Sequence, residues 1–275
     1  EAGSISILIG LFLGILEEFV FDRIFQKISF LMATIFRSLL YAVLVSIVLC
    51  LVLSIEISSV EQINYLDAVL GYLDSPFFQR DFLYSFVFII LILIILQVIL
   101  LIGKANFLRL TLGLYHQPRE VSRIFMFTDL KGSTTIAEKL TNKQFSSMIK
   151  DYFYDLSDAI TMFGGEIYQY VGDEIIVAWP IRKNNINCIR SFFKMEELIK
   201  RKKDSYLSKY GIVPEFKAGI HAGTVVVTTV GKQKKEIVYH GDVLNTTSRI
   251  EGKCNELNQK LLISEDMLKY VNLKN

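Results

Sequence analysis

The chain has 275 residues, room for about two domains by the usual length prior, and 52% of it is hydrophobic, with a mean hydropathy of +0.39. A net charge of +2 makes no case for a nucleic-acid partner, and basic and aromatic residues do not interleave as they do in single-strand binders. The three cysteines, Cys50, Cys188 and Cys254, lack CxxC spacing, which argues against zinc and against a disulfide framework and leaves unmodified thiols in a reducing compartment.

The apolar excess lies in roughly the first hundred residues; the remainder has ordinary soluble composition. Three stretches are expected to span a membrane, near 5–25, 38–55 and 82–102, since a spanning helix needs about 20 residues. Glu17 and Glu18 interrupt the first, and Arg37 at the edge of the second is expected to snorkel to the interface. Between the first two spans lie Arg23, Lys27 and Arg37, whereas 56–81 carries Glu56, Glu61, Asp67, Asp74 and Asp81 against Arg80 alone. Lys104 and Arg109 follow the third span. The positive-inside rule then places the acidic loop outside and everything after Ile102 in the cytoplasm, with the chain multi-pass in the plasma (inner) membrane and lipid as a partner. Residue 1 falls outside on this reading, so a fourth span is expected before it. The expected domains are 1–103 (helical, transmembrane), 104–120 (a linker) and 121–275 (catalytic). Within the linker, Lys104 to Tyr115 reads as an amphipathic helix stopped by Pro118; mechanical coupling and a passive spacer both stay open.

From Arg123 strands and helices alternate. Ile124 to Thr128 predicts a strand, Thr134 to Leu140 a helix, and Lys143 to Phe163 a longer helix with Phe145, Met148, Ile149, Tyr152, Phe153, Leu156 and Ile160 as its apolar positions. Glu166 to Tyr170 and Ile175 to Trp179 flank a hairpin turn at Gly172-Asp173. Ile186 to Tyr210 predicts one helix, Phe216 to His221 and Thr224 to Val230 two strands separated at Gly223, Val243 to Glu256 a helix and Leu261 to Ile263 a short strand. The order is that of an α+β, ferredoxin-like βαββαβ palm with further elements appended.

Three stretches carry chemistry. In FMFTDLKGST (125–134) a strand delivers Asp129 to a polar turn, where Lys131, Gly132, Ser133 and Thr134 supply turn and N-cap chemistry suited to phosphates. In EIYQYVGDEIIVAW (166–179) Asp173 lies at the turn of the neighbouring hairpin. In a palm sheet the two carboxylates converge, and oxygen ligands beside phosphates suit Mg²⁺ or Mn²⁺, two ions clamping an in-line displacement. In GDVLNTTSRIE (241–251) Asn245 and Arg249 share a helix face. Arg249 suits a phosphoryl group in its transition state, and Asn245 a ribose oxygen. A turn or capping role would be the better account of any of these residues alone; their combination favours the site.

Together the three stretches resemble the signatures of class III nucleotidyl cyclases, in order, over roughly 120–270. The layout of spans, short linker and catalytic unit resembles membrane-anchored bacterial adenylate cyclases. The resemblance implies a head-to-tail homodimer with shared sites that converts ATP to 3′,5′-cyclic AMP and pyrophosphate. One protomer supplies Asp129, Asp173 and Leu130 (which has only its main chain to offer) to the two metal ions, and the other supplies Asn245 and Arg249. Two positions depart from the pattern: Gln169 stands where the family has an adenine-selecting Lys, and Val238 where its Asp or Thr partner stands. Gln169 can still donate and accept at a purine edge, and a main-chain carbonyl near Val238 is an alternative. A closing hairpin with a triphosphate-binding Lys is expected beyond Asn275. His116, His221 and His240 read as structural or surface residues. Guanylate cyclase activity and a non-catalytic membrane receptor are the alternatives; a diguanylate cyclase is excluded because its acidic turn follows Gly-Gly directly, whereas here Glu166 opens a strand.

Overall fold

The computed structural model describes residues 30–114, 116–181 and 185–271, without the side chains of 30, 104 and 105. The chain divides into two units, 1–102 and 103–275. The expected span at 5–25 lies outside the described residues.

In the first unit, α1 (Phe30–Glu61) and α3 (Pro76–Ile102) are both long and apolar enough to cross a membrane. They pack on each other through Ala33, Tyr41, Leu44, Ile89 and Leu93. Ser38, Ala42, Ser46, Cys50 and Ser54 recur at every fourth position of α1 and are all buried, so this face admits close helix approach. No residue of α3 is buried, and Leu100 and Leu101 are more than three-quarters exposed. Within 56–81, expected to be a loop, α1 runs on to Glu61 and α2 (Tyr65–Leu73) follows, capped by Asn64.

The second unit opens with α4 (Lys104–Thr111), shorter than the predicted helix to Tyr115. Its Arg109 makes a bidentate pair with Glu166 at 2.6 and 2.8 Å. The sheet follows: β1 (Arg119–Leu130), β2 (Glu166–Val171), β3 (Glu174–Pro180), β4 (Phe216–Val230), β5 (Glu236–His240) and β6 (Leu261–Ile263). Its order is β2-β3-β1-β4-β5, antiparallel, with β6 parallel to the first half of β4. The first four strands have the ferredoxin-like arrangement that the sequence predicts. Alternation gives the sheet two apolar faces. Ile124, Met126 and Leu130 of β1 face α6 (Asn142–Met162) and α7 (Asn187–Arg201), where Tyr152, Leu156, Phe192 and Met195 are fully buried. Phe125 and Phe127 face the other way, with Ile176, Val225, Val227 and Tyr239. The sheet curls across this second face until its edge strands meet: the rings of Tyr168 (β2) and Tyr239 (β5) are 5.0 Å apart.

Three predicted elements need correction. The helix expected over 186–210 breaks at Lys202 into α7 and α8 (Lys203–Tyr210). Asp155, buried on α6, causes the break: it accepts from Lys202 Nζ at 2.5 Å and from Tyr206 Oη at 2.8 Å, which turns α8 over α6. The two strands expected around Gly223 are one, because Gly223 stays paired with Arg123. Its missing side chain serves packing, since a Cβ there would lie 2.7 Å from Val243 of α9 (Asp242–Glu256). Strand β5 and α10 (Glu265–Leu268) were not predicted; between β1 and α6, α5 (Ser133–Lys139) matches its predicted helix closely.

Candidate active site

Two strand ends and one helix build the site. β1 carries Asp129 to the open end of the sheet on the face of Phe125 and Phe127, half-buried and paired in register with Lys217 of β4. The β2–β3 hairpin has a two-residue loop, Gly172-Asp173, with Gly172 at φ 63° and Val171 paired to Glu174. Helix α9 crosses β4 so closely that a Cβ on Gly219 would lie 2.4 Å from the backbone nitrogen of Glu251. That approach drives Glu251 down beside Lys217, whose Nζ is 2.8 Å from Glu251 Oε1 and 3.4 Å from Asp129 Oδ2.

Charge is unevenly matched here. Asp129, Asp173, Glu174 and Glu251 interact across this space with Lys217 as their nearby ammonium. Burial pushes Asp129 up to about 6, with the charges of Asp173 and Glu251 adding to it and Lys217 opposing. Burial pushes Glu174 up to about 7, reinforced by Glu251, Asp129 and Asp173. Burial works against charge on Lys217, yet Glu251 and Asp129 hold its ammonium above the ordinary value. Asp173 Oδ2 is buried and without a hydrogen-bond partner. Excess carboxylate charge with an orphaned oxygen is the environment a divalent cation relieves, and hard oxygen donors suit Mg²⁺ or Mn²⁺. Among the described residues no three His, Cys, Asp or Glu side chains converge to hold an ion unaided. Leu130 has its side chain in the core and offers its main chain alone.

The turn after Asp129 differs in detail from expectation. Lys131 N–H donates to Glu215 O at 2.8 Å, and the N-cap of α5 is Gly132, left-handed at φ 69° and without a side-chain cap bond. Ser133 and Thr134 thus lie inside the first turn, whose N–H groups have no intrahelical partner.

Asn245 and Arg249 are exposed one turn apart on the outer face of α9, opposite buried Val243, Thr247 and Glu251. Among the described residues neither side chain has a hydrogen bond or ion pair, and neither is joined to Asp129 or Asp173. Gln169 is exposed on the curled face, paired with Ile176 beyond a bulge. Val238 pairs with Thr228. Their sequence neighbours Tyr168 and Tyr239 are in contact, so the curl brings residues 169 and 238 to one neighbourhood from opposite edges of the sheet. His221 is buried and shares a 2.8 Å hydrogen bond with Ser264, away from the acidic centre. The sequence reading missed Glu174, Lys217 and Glu251. Glu174 and Glu251 fall within the quoted motifs, and Glu251 lies four residues from Thr247 on the sheet-facing side of α9, a spacing that could have marked it; Lys217 carries no such mark.

A curled ferredoxin-like sheet with an acidic centre at the end of its first strand defines the class, an α+β palm domain. Residues 115–275 match the family described as "Adenylate and Guanylate cyclase catalytic domain", and the chain belongs to that family. It is 37% identical over 180 residues to "Adenylate cyclase 2" of Rhizobium meliloti (strain 1021), covering 65% of this chain and 50% of that protein. It is 30% identical over 159 residues to "Adenylate cyclase 1" of the same organism, covering 53% of this chain and 24% of that one. The chain thus spans half or less of the length of these curated relatives. Its fold is similar to that of a bacterial light-regulated adenylyl cyclase (TM-score 0.54, 21% identity, 57% of this chain and 47% of that one). It is also similar to the guanylyl cyclase Cya2 (TM-score 0.51, 22% identity, 57% and 81%).

Proposed function

We propose that the chain is a membrane-anchored adenylate cyclase, converting ATP to 3′,5′-cyclic AMP and pyrophosphate at a site shared by two copies. The observation that carries this reading is the acidic centre, where Asp129 at the end of β1 and Asp173 in the β2–β3 turn interact in a half-buried space short of positive charge. The ribose 3′-oxygen bonds to the α-phosphorus, the bond from that phosphorus to the α,β-bridging oxygen breaks, pyrophosphate leaves and the hydroxyl proton passes to solvent. Divalent cations, two per site, supply activation of the hydroxyl and neutralisation of the phosphates when bound. Asp129 and Asp173 would hold them, with the Leu130 main chain alongside. Gly132, Ser133 and Thr134 offer main-chain N–H groups, and Lys131 its ammonium, to phosphate oxygens. Arg249 of a second copy meets the charge that builds on the transferring phosphoryl group, and Asn245 orients the ribose. Their exposure and lack of hydrogen-bond or ion-pair partners among the described residues support that division.

Two apolar helices support the anchoring, in contact with lipid, and the charge bias of their flanks supports a cytoplasmic catalytic unit. The names of the two Rhizobium relatives favour ATP. A second reading, cyclic GMP from GTP, has Gln169 in its favour, since an amide can read either purine edge. The test is turnover of ATP and GTP by the purified full chain with Mn²⁺. Cyclic AMP as the main product is the expected result; preferential cyclic GMP, or no cyclic product from either nucleotide, contradicts it.

A further inference from the structure

The edge strands β2 and β5 stand at opposite ends of the sheet order, and no backbone ladder joins them. A bulge in β2 prepares a contact that does. Ile167 pairs with Val177 and Gln169 with Ile176, so Tyr168 is one residue too many for the ladder. Unbroken alternation would send Tyr168 and Gln169 to opposite faces. Instead Ile167 packs on the α6 side, Tyr168 packs on the curled face, and Gln169 stands opposite Ile176 of that same face. Bulges beside functional sites re-aim side chains in this way. Across the curl the Tyr168 ring meets the Tyr239 ring edge-on, with centroids 5.0 Å apart and planes at 70°. The Tyr239 main-chain N–H donates to the Tyr168 hydroxyl at 3.4 Å, and the Phe125 ring lies 5.3 Å from that of Tyr239. Each partner of this contact adjoins a position expected at the purine, Gln169 beside Tyr168 and Val238 beside Tyr239.

We propose that Tyr168 is a positioning residue for purine selection: by tying β2 to β5 through Tyr239, it fixes Gln169 relative to residue 238 so that the amide reads one purine edge in preference to the other. The proposal rests on the nucleotide base lying against these two positions. The Gln169 side chain is exposed and makes no hydrogen bond among the described residues. A free amide both donates and accepts, so it discriminates between purines only when its backbone is held. The aromatic pair and the hydroxyl supply that restraint from outside the acidic centre. Their loss therefore shows in base selectivity.

The test is the affinity of the full chain, in detergent with Mn²⁺, for α,β-methylene-ATP and α,β-methylene-GTP, whose carbon bridge keeps them intact. Calorimetry reads the two affinities, beside the melting temperature. Tyr168→Leu removes ring and hydroxyl together and is expected to narrow the wild type's preference between the two by up to about tenfold, the upper end of what an aromatic pair contributes. Tyr168→Phe keeps the ring and is expected to narrow it about threefold, as the loss of one hydrogen bond would. In a Gln169→Ala background neither substitution is expected to change the preference further, which a merely structural role would not produce. A preference unchanged in both variants, or narrowed equally without Gln169, overturns the positioning role, as does a wild type that binds both nucleotides alike. The cyclase reading is judged separately, by turnover of ATP and GTP. A chain whose preference depends on Tyr168 through Gln169 yet forms no cyclic nucleotide overturns that reading and leaves the positioning role standing.

Discussion

At the end of β1 the charged groups lean on one another: Asp129 on Lys217, Lys217 on Glu251, with Asp173 and Glu174 alongside. On the outer face of α9, Asn245 and Arg249 are exposed and make no hydrogen bond or ion pair among the described residues. Yet one helix serves both regions. Its inner face is seated on Gly219 and Gly223 and delivers Glu251 to the acidic centre, while its outer face holds Asn245 and Arg249 a turn apart. The contrast fits the proposed division, in which one copy would present two halves of different sites, a cation-holding half closed within the subunit and a transition-state half open towards a neighbour.

The largest effect is expected in the closed half. Asp129→Ala or Asp173→Ala should lower turnover at least about 10³-fold, or about 4 kcal/mol of barrier, read as cyclic AMP formed with Mn²⁺. In the open half, Arg249→Ala should lower kcat by about 10²–10³-fold with little change in melting temperature, because the exposed side chain makes no hydrogen bond or ion pair among the described residues. If that variant is also destabilised, Arg249 is structural and the two regions are less distinct than drawn. Between them stands Gly219→Ala, whose methyl group would collide with the backbone of Glu251. Moving α9 to relieve it should cost about 1–3 kcal/mol of stability and impair both halves together, measured by melting and turnover on the same preparation.

The smallest effect lies outside both regions. Burial lowers the pKa of His221, against the raising influence of Asp266 and Asp242. A ring held neutral by the fold contributes stability that is present above its ordinary value of 6.5 and lost as the pH falls below it. The melting temperature should therefore fall from pH 6.5 downward, and His221→Gln should flatten that part of the curve; an unchanged slope would assign the acid sensitivity to other groups.

Much of this was legible in the sequence because it is local. Continuous apolar runs marked β1 and β3, and the Gly-Asp turn marked the hairpin. The four-residue spacing put Asn245 and Arg249 on one helix face, which is where they are found. What stayed hidden depends on distant partners. Lys202 breaks a helix only because Asp155 waits 47 residues away on α6. Lys217 reads as a solvated strand residue until α9 descends on Gly219. Gly223, which reads as a break between strands, serves instead to let Val243 approach.

The central claim, that each site takes its cation ligands from one copy and its Asn and Arg from another, is tested most directly by mixing. Asp129→Ala and Arg249→Ala chains, each inactive alone, are co-expressed in equal amounts and assayed for cyclic AMP. Random pairing makes half the dimers mixed, each with one intact site, so about a quarter of wild-type activity should return in a two-fold symmetric assembly. Activity that stays at the level of the separate variants would contradict the shared site.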